Sequence, residues 1–392
     1  FVMAGGKRRS ALWAGLVWNH PDIEDFIKAK NWSIDVKAMK ERDFSYPASL
    51  DMTNISVRLD SNFFKEIKSN PEVWEFYYRI CKNMCKTGEP GFSVDVGDQA
   101  NHILRNPCTE IVSDTDSDCC NLGSINLSRI ESLAELEDVT RIGIRFLYKG
   151  TFVSWLPHPD FEEVRKRYRR IGLGLMGLHE WCISRDQTYE PSGKLGRWLS
   201  TWQGVSDDEA TKFAKTCHDV RPIAVRAVAP TGTIGIIGET TTGIEPIFCV
   251  AYKRRFLDKD GAWKFSYVID PTADRLITQK GVSPDQIEDS QSLAKNVEKR
   301  ISMQAFVQDF VDQAISSTIN VPEWGEYGNS TARKFAEVLL TYLPRLRGIT
   351  VYPDGARPGQ PITSIKYETA KKHKDTILAE AEERCNAGVC GI

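Results

Sequence analysis

The sequence lacks any apolar run of about 20 residues, the length that a helix needs to cross a bilayer. It also lacks, at its start, the charged-then-apolar pattern of a secretory signal. We therefore expect no membrane span and a cytoplasmic location. The net charge is only -2, so a broad positive surface for nucleic acid is not expected. Any phosphate should bind in a local pocket.

Cysteine is too scarce for a secreted disulfide scaffold, with ten in 392 residues. The cysteines are unevenly grouped, which is typical of thiol chemistry in a reducing compartment. The chain begins at Phe1 rather than at Met. We interpret it as a fragment or a processed product.

The composition, with 41% hydrophobic and 27% charged residues, is that of a globular protein with one large core or two modest ones. Strand patterns at 50–59, 91–96 and 348–352 alternate with helical patterns, which predicts an α/β fold with a largely parallel sheet, open or closed. Residues 160–181 have helical periodicity interrupted by glycines. After residue 357 the chain becomes polar, with a helix predicted over 367–385, so we place a boundary between 1–357 and an appended tail, 358–392.

The stretch "RNPCTEIVSD" places an amide, a thiol and a carboxylate at alternate positions: Asn106, Cys108 and Glu110. In an extended segment all three would share one face, and Pro107 would stiffen the chain beside the thiol. Asn-Pro is also a common turn, and a single cysteine is often a small buried hydrophobe. Hydrolysis with Cys108 as the nucleophile would need a histidine to activate the thiol. The nearest, His102, is six positions away, and no third group that would orient it is evident.

Two further cysteine pairs suggest thiol-disulfide exchange. Cys119 and Cys120 lead into "NLGSINL", and Cys385 and Cys390 lie close to the end of the sequence. An inner couple that is oxidised and an outer couple that renews it would fit this grouping. Zinc is the alternative for the outer pair, but structural zinc needs four ligands and the tail offers two cysteines without histidine.

The stretch "APTGTIGIIGETTTGIEPIF" delivers a buried strand into a loop of Thr and Gly whose backbone N–H groups and hydroxyls could bind phosphate. It lacks the Gly-Lys-Ser/Thr ending of a Walker A loop. "GGKRRSA", near the start, could contact a nucleotide or form an exposed basic turn.

Ten stretches in order across residues 5–357 resemble the large catalytic subunit of ribonucleotide reductases, most closely the adenosylcobalamin-dependent class II enzymes. These stretches are "GGKRRSA", "HPDIEDFI", "TNISV", "GEPGF", "NPCTE", "CNLGSINL", "RRIGLGLMGL", "APTGTIG", "TTGIEPIF" and "GITVYPDGAR". The resemblance implies a ten-stranded α/β barrel over 1–357, with Cys108 on a loop at its centre. It also implies reduction of ribonucleoside di- or triphosphates to 2′-deoxyribonucleotides.

The resemblance assigns roles to the first motif. Cys108 would carry the thiyl radical that takes the 3′ hydrogen, Glu110 would be the base on the 3′ hydroxyl, and Asn106 would orient the sugar hydroxyls. Such a radical must be kept from water, so we expect a buried sulfur.

The other roles follow from the same resemblance. Cys120 matches the inner redox cysteine; its partner lies either in a missing N-terminal segment, which we favour, or at Cys119. Cys385 and Cys390 would be the tail dithiol renewed by thioredoxin or glutaredoxin. The substrate phosphates would be held by Pro230, Thr231, Gly232, Thr233 and Ile234. An effector deoxynucleotide or ATP would be sensed by Gly5, Gly6, Lys7, Arg8 and Arg9, with a homodimer possible.

The radical source is the remaining question. Class I enzymes use two adjacent tyrosines where this chain has Val351 before Tyr352, so we favour adenosylcobalamin. The alternative is no cofactor in this chain and a radical from a separate, metal-containing subunit. A glycyl-radical enzyme is disfavoured because the tail shows no radical-glycine motif. A different class of answer is an inactive nucleotide-binding fragment of a split reductase.

Overall fold

The structure is a computed structural model that describes residues 11–43, 46–257, 263–325, 328–354, 362–374 and 376–379. The strands in this part of the chain are β1 (Leu12–Val17), β2 (Thr53–Asp60), β3 (Gly91–Asp95), β4 (Leu104–Arg105), β5 (Val112–Ser113), β6 (Asn121–Asn126), β7 (Ile171–Met176), β8 (Ala251–Leu257), β9 (Trp263–Ile269), β10 (Thr318–Val321), β11 (Gly348–Pro353), β12 (Ile362–Ser364) and β13 (Ile377–Ala379). The helices are α1 (Ile23–Lys28), α2 (Ile34–Arg42), α3 (Ser61–Glu66), α4 (Pro71–Thr87), α5 (Leu133–Val153), α6 (Pro159–Tyr168), α7 (Leu178–Ser184), α8 (Gly193–Thr216), α9 (Gly232–Ile237), α10 (Pro271–Lys280), α11 (Ser290–Ala294), α12 (Val297–Gln308), α13 (Gly328–Tyr342) and α14 (Tyr367–Lys372). Among these, no helix is both long and apolar enough to span a bilayer.

The largest sheet has five strands in the order β1-β2-β3-β11-β10. β1, β2 and β3 are parallel, β11 is antiparallel to β3, and β10 is parallel to β11. Helices α4 and α13 cover this sheet, and their large apolar side chains pack against it in one core that includes Phe63, Tyr77, Phe92 and Phe335. The strands predicted at 50–59, 91–96 and 348–352 are confirmed as β2, β3 and β11.

An extended segment, residues 224–228, continues this sheet. On one side it receives hydrogen bonds from β7, including Leu173 N–H to the Val225 carbonyl (2.9 Å). On the other side Val228 forms a parallel bridge to Ile315, just before β10. β6 pairs with β7 in parallel. Eight extended segments therefore lie side by side in the order β1, β2, β3, β11, β10, 224–228, β7 and β6. Within the described residues, the outer edges of β1 and β6 have no strand partner.

β7 corrects the prediction of a continuous helix over 160–181. Helix α6 ends at Tyr168, Arg169 adopts a left-handed conformation, and Ile171–Met176 is a fully buried strand. A parallel strand buried on both faces has no polar alternation, so periodicity does not separate it from a buried helix. Its glycines allow close approach to the next segment, since a Cβ at Gly174 would lie 2.3 Å from the Ala227 carbonyl oxygen.

A second sheet has four antiparallel strands in the order β12-β8-β9-β13. The helix predicted over 367–385 is wrong in its described part, because α14 ends at Lys372 and Ile377–Ala379 pairs with β9 as a strand. Pairing with the exposed edge of β9 satisfies backbone groups that a helix would otherwise satisfy internally. The domain boundary at residue 357 stays a prediction.

Candidate active site

Cys108 lies at the tip of a short hairpin, residues 104–113, which we call the finger hairpin. β4 and β5 form its stem, pairing Leu104 with Ser113 and Arg105 with Val112. The tip is a tight turn in which Thr109 N–H donates to the Asn106 carbonyl (2.9 Å), with Thr109 in a left-handed conformation (φ 67°). The expected extended segment with three side chains on one face is therefore wrong. Pro107 favours a turn here, and the turn separates Cys108 from its neighbours.

The sulfur of Cys108 was expected to be buried, and the structure places this residue on the surface. It occupies the outermost turn of the finger hairpin, and the sheet is open between β1 and β6 in the described residues. The finger hairpin thus presents the thiol rather than enclosing it.

Asn106 and Glu110 are brought together behind the tip. Asn106 Oδ1 accepts from Ile111 N–H (3.0 Å), and the Asn106 side chain lowers the pKa of the Glu110 carboxyl. Glu110 is only 2% exposed, and its Oε2 has no hydrogen-bond partner among the described residues. Burial raises the pKa of the Glu110 carboxyl, and the Asn106 hydrogen bond opposes that rise. The result is a carboxyl with one oxygen available for a proton.

The stem of the finger hairpin is fixed by a buried ion-pair network. Asp95 in β3 accepts from Arg105 (2.9 Å) and from Arg58 of β2 (2.8 Å). Burial lowers the pKa of Arg105 to about 10, an effect that Asp95 partly offsets. Asn54 Nδ2 donates to the Pro107 carbonyl, next to the tip. Sequence reasoning missed these residues, since the contacts join segments far apart in the chain.

Cys120 lies immediately before β6, with its Sγ 4.0 Å from Gln313 Nε2. Burial raises the pKa of the Cys120 thiol well above its usual range, against the opposing effects of the Arg170 charge and the Gln313 hydrogen bond. The Glu110 carboxyl also acts electrostatically on this thiol. Cys119 is partly exposed, and burial followed by the Asp118 charge raises its pKa.

The segment Gln313–Ala314 joins three parts of the site that the sequence predicted separately. Ala314 N–H donates to the Glu110 carbonyl of the finger hairpin (2.9 Å). The Ala314 carbonyl accepts from Val228 N–H (3.2 Å), two residues before the Thr/Gly loop. Gln313 contacts Cys120. The local sequence "VDQAIS" carries no motif that could have indicated this position.

The Thr/Gly loop is held in a defined conformation. Thr231 is left-handed (φ 52°) and buried, and its hydroxyl accepts from Gly243 N–H (2.7 Å). α9 begins at Gly232, and its first helical hydrogen bond runs from Gly235 N–H to the Thr231 carbonyl (2.7 Å). The N–H groups of 232–234 therefore precede the hydrogen-bonded part of the helix and lie on an exposed stretch of chain.

The remaining predicted residues fall elsewhere. In β11, Val351 is buried (4% exposed) and Tyr352 is partly buried. Two groups lie outside the described residues: the proposed effector loop Gly5, Gly6, Lys7, Arg8 and Arg9, and the proposed tail dithiol Cys385 and Cys390.

This combination of fold and site matches one family. Residues 75–195 and 209–352, more than half of the chain, match the model "Ribonucleotide reductase, barrel domain". The chain belongs to this family, and the α/β fold that the sequence predicted is confirmed as the ribonucleotide reductase fold.

The names of the curated relatives are more specific than the description of the family model. Over its whole length the chain is 28% identical to the vitamin B12-dependent ribonucleoside-diphosphate reductase of Mycobacterium tuberculosis, of which it covers 62%. It is 25% identical to the protein of that name from Thermoplasma acidophilum, with 96% of the chain and 55% of the relative aligned. The chain thus spans between about half and three fifths of the length of these two curated relatives.

Solved structures share the fold as well, two ribonucleotide reductases among them. A B12-dependent class II ribonucleotide reductase superposes with a TM-score of 0.69 at 18% identity, covering 95% of this chain and 55% of that chain. The class Id reductase α subunit of Actinobacillus ureae gives 0.64 at 16% identity, covering 88% and 70%.

Proposed function

We propose that the protein is the catalytic part of a cobalamin-dependent ribonucleotide reductase that converts ribonucleoside di- or triphosphates to 2′-deoxyribonucleotides. The observation that carries this proposal is the meeting of Glu110, Cys120 and the strand leading to Thr231 on one segment, Gln313–Ala314. Cys108 lies two residues from Glu110 in the same hairpin. A radical sulfur, a base, a reducing thiol and a phosphate loop would then surround one nucleotide.

The roles in this proposal are those that the resemblance to ribonucleotide reductases implies. A sulfur radical at Cys108 takes the 3′ hydrogen of the ribose. The unpartnered Oε2 of Glu110 accepts the proton of the 3′ hydroxyl, and Asn106 orients the sugar hydroxyls. The 2′ hydroxyl leaves as water. Two thiols supply the two electrons and two protons and become a disulfide, with Cys120 as one of its sulfurs. The 3′ carbon recovers its hydrogen from Cys108.

The substrate phosphates in this account bind at residues 230–234. The N–H groups at the start of α9 are donors of the kind that phosphate oxygens accept. Thr231 does not contribute its hydroxyl oxygen as an acceptor for substrate, because that oxygen already accepts from Gly243. Its role is to hold the loop in shape, while Thr233 is exposed and available.

The open edges of the sheet support a ten-stranded barrel. Eight extended segments are adjacent from β1 to β6. Two further strands between those edges would close the sheet around the finger hairpin. The effector site at 5–9, the dithiol at Cys385 and Cys390 with thioredoxin or glutaredoxin, a homodimer and a cytoplasmic location complete the proposal.

The residues present fit adenosylcobalamin. The chemistry that this cofactor supplies when bound is removal of a hydrogen atom from the Cys108 thiol, and Cys108 is exposed at a turn where a large molecule can reach it. Val351 is a buried aliphatic residue beside Tyr352, so a pair of adjacent tyrosines is missing from β11. The side chains that would face the cofactor are those at the tip of the finger hairpin.

An activity assay tests the proposal. The purified protein is incubated anaerobically with a ribonucleotide, adenosylcobalamin and a dithiol, and deoxynucleotide is measured. We expect product only when the cofactor is added, and none from Cys108→Ala. If a metal-containing subunit replaces the cofactor requirement, the cobalamin assignment is wrong. If wild type and variant bind nucleotide equally and neither forms product, the protein is a binding module.

A further inference from the structure

Arg170 and Gln313 form a buried hydrogen-bonded pair beside the Cys120 sulfur. Arg170 Nη1 donates to Gln313 Oε1 (3.4 Å), with Gln313 completely buried and Arg170 1% exposed. Arg170 lies after the end of α6 and Gln313 lies after the end of α12. Their contact therefore links the ends of these two helices next to Cys120, the residue before β6. Neither residue has a role in the reaction described above.

The pair fixes the orientation of the Gln313 amide. Because Oε1 accepts from Arg170, Nε2 is turned the other way, where it donates to the Ile171 carbonyl (2.9 Å) and faces Cys120 Sγ (4.0 Å). Gly172 provides the space for this sulfur, since a Cβ there would lie 3.3 Å from Sγ. The sulfur is therefore held against an N–H donor.

Arg170 has unused hydrogen-bonding capacity at this position. Its Nε donates to Asp118 Oδ2 (2.6 Å), while its buried Nη2 has no partner among the described residues. A buried guanidinium nitrogen without an acceptor is costly, and an anion formed nearby would satisfy it. The charged groups that act on Cys120 are Arg170, Asp118 and Glu110, and Arg170 is the one cation among them.

We propose that Arg170 and Gln313 are positioning residues that hold the Cys120 sulfur and stabilise its thiolate. The inference deepens the proposed function and rests on it for the redox role of Cys120. When a dithiol reductant renews the enzyme, its thiolate attacks the sulfur partner of Cys120. The old S–S bond breaks, a new one forms to the reductant, and the electron pair remains on Cys120, which later takes a proton from solvent. A stabilised thiolate leaves faster.

The test measures the reactivity of Cys120 itself. Iodoacetamide alkylation is followed residue by residue by mass spectrometry between pH 8 and pH 10 in the reduced protein, with Cys119 as the internal control. Gln313→Glu keeps the shape and gives Arg170 an ion-pair partner, but replaces the donor facing Sγ by a carboxylate. One pKa unit is a tenfold change in thiolate, so we expect Cys120 alkylation to fall at least about tenfold, with Cys119 unchanged.

A second variant separates charge from packing. Arg170→Met removes the charge that lowers the pKa of both thiols, so both alkylation rates should fall, and Arg170→Lys should retain most of the rate. If Arg170→Met acted only by loosening the packing, both sulfurs would become more accessible and both alkylation rates would rise. An unchanged or increased Cys120 rate in Gln313→Glu overturns the inference. The assay needs no turnover, so an inactive enzyme with the expected alkylation pattern would contradict only the proposed function.

Discussion

Arg105 Nη2 donates to Asp95 Oδ1 over 2.9 Å, and both side chains are 2% exposed. Arg105 belongs to the stem of the finger hairpin and Asp95 to the adjacent strand β3. The position of Cys108 thus depends on a buried charge 13 residues earlier in the chain. Arg58 of β2 pairs with the same Asp95 carboxylate. Strands β2 and β3 together therefore fix the direction of the finger hairpin.

Asp95→Asn should be strongly destabilising. It leaves Arg105 buried without a counter-charge, which typically costs about 3–5 kcal/mol in the free energy of unfolding. Urea denaturation measures that loss, and hydrogen exchange should show faster opening of residues 104–113.

The control is Glu337→Gln. The Arg333–Glu337 pair has the same chemistry but is exposed (58% and 56%), so its loss should change the unfolding free energy by less than about 0.5 kcal/mol. Equal effects of the two variants would contradict a structural role for the buried pair.

Glu110→Gln should change stability in a pH-dependent way. Because the pKa of Glu110 is raised in the fold, the folded protein binds more protons than the unfolded one above pH 4.5, and stability is lost as pH rises through this window. Glutamine does not titrate. The variant should equal wild type near pH 4.5 and be more stable at pH 8, measured by urea denaturation at both values. A variant that is less stable at pH 8 would show that the ionised carboxylate is compensated in the fold.

Thr231→Ala should weaken both the loop and substrate binding. It leaves the buried Gly243 N–H without its acceptor, at a cost of about 1–3 kcal/mol. Thr231→Ser keeps the hydroxyl and is the matched control. Equilibrium dialysis with a ribonucleotide should show weaker binding for the alanine variant alone. Equal affinities for all three proteins would remove this loop from the phosphate site.

Two glycine substitutions should change the stability of the fold in opposite directions. A Cβ at Gly174 would meet the Ala227 carbonyl at 2.3 Å, so Gly174→Ala should destabilise by about 1–3 kcal/mol. Gly204, inside α8, has nothing within 4 Å of its Cβ position, and Gly204→Ala should stabilise by about 0.5–1 kcal/mol. Thermal unfolding measures both. Stabilisation by both would mean that β7 does not approach the 224–228 segment as described.

Local patterns predicted part of the fold. β2 and β3 are clear in the sequence because their apolar residues are bounded by turn signals. β7 was predicted as helix because "IGLGLM" is apolar throughout, and only its pairing with β6 makes it a strand. The strand predicted to lead into the Thr/Gly loop corresponds to the extended segment 224–228, and both of its neighbours are distant in sequence.

The sequence identifies which residue types form the site, but it does not predict how they are arranged in space. Cys108 and Glu110 stand out by chemistry, whereas the turn that exposes one and buries the other depends on the left-handed Thr109. Gln313 lies 193 residues from the cysteine that it contacts, and no local pattern encodes such a contact.

The most direct test of the central claim is deoxynucleotide formation by wild type, Cys108→Ser and Cys217→Ser with adenosylcobalamin and a dithiol. Cys217, which directly follows α8 and is partly exposed, controls for the loss of a thiol elsewhere. We predict that wild type and Cys217→Ser form product equally and that Cys108→Ser forms none. Product from Cys108→Ser at the wild-type rate would show that the radical resides on another group.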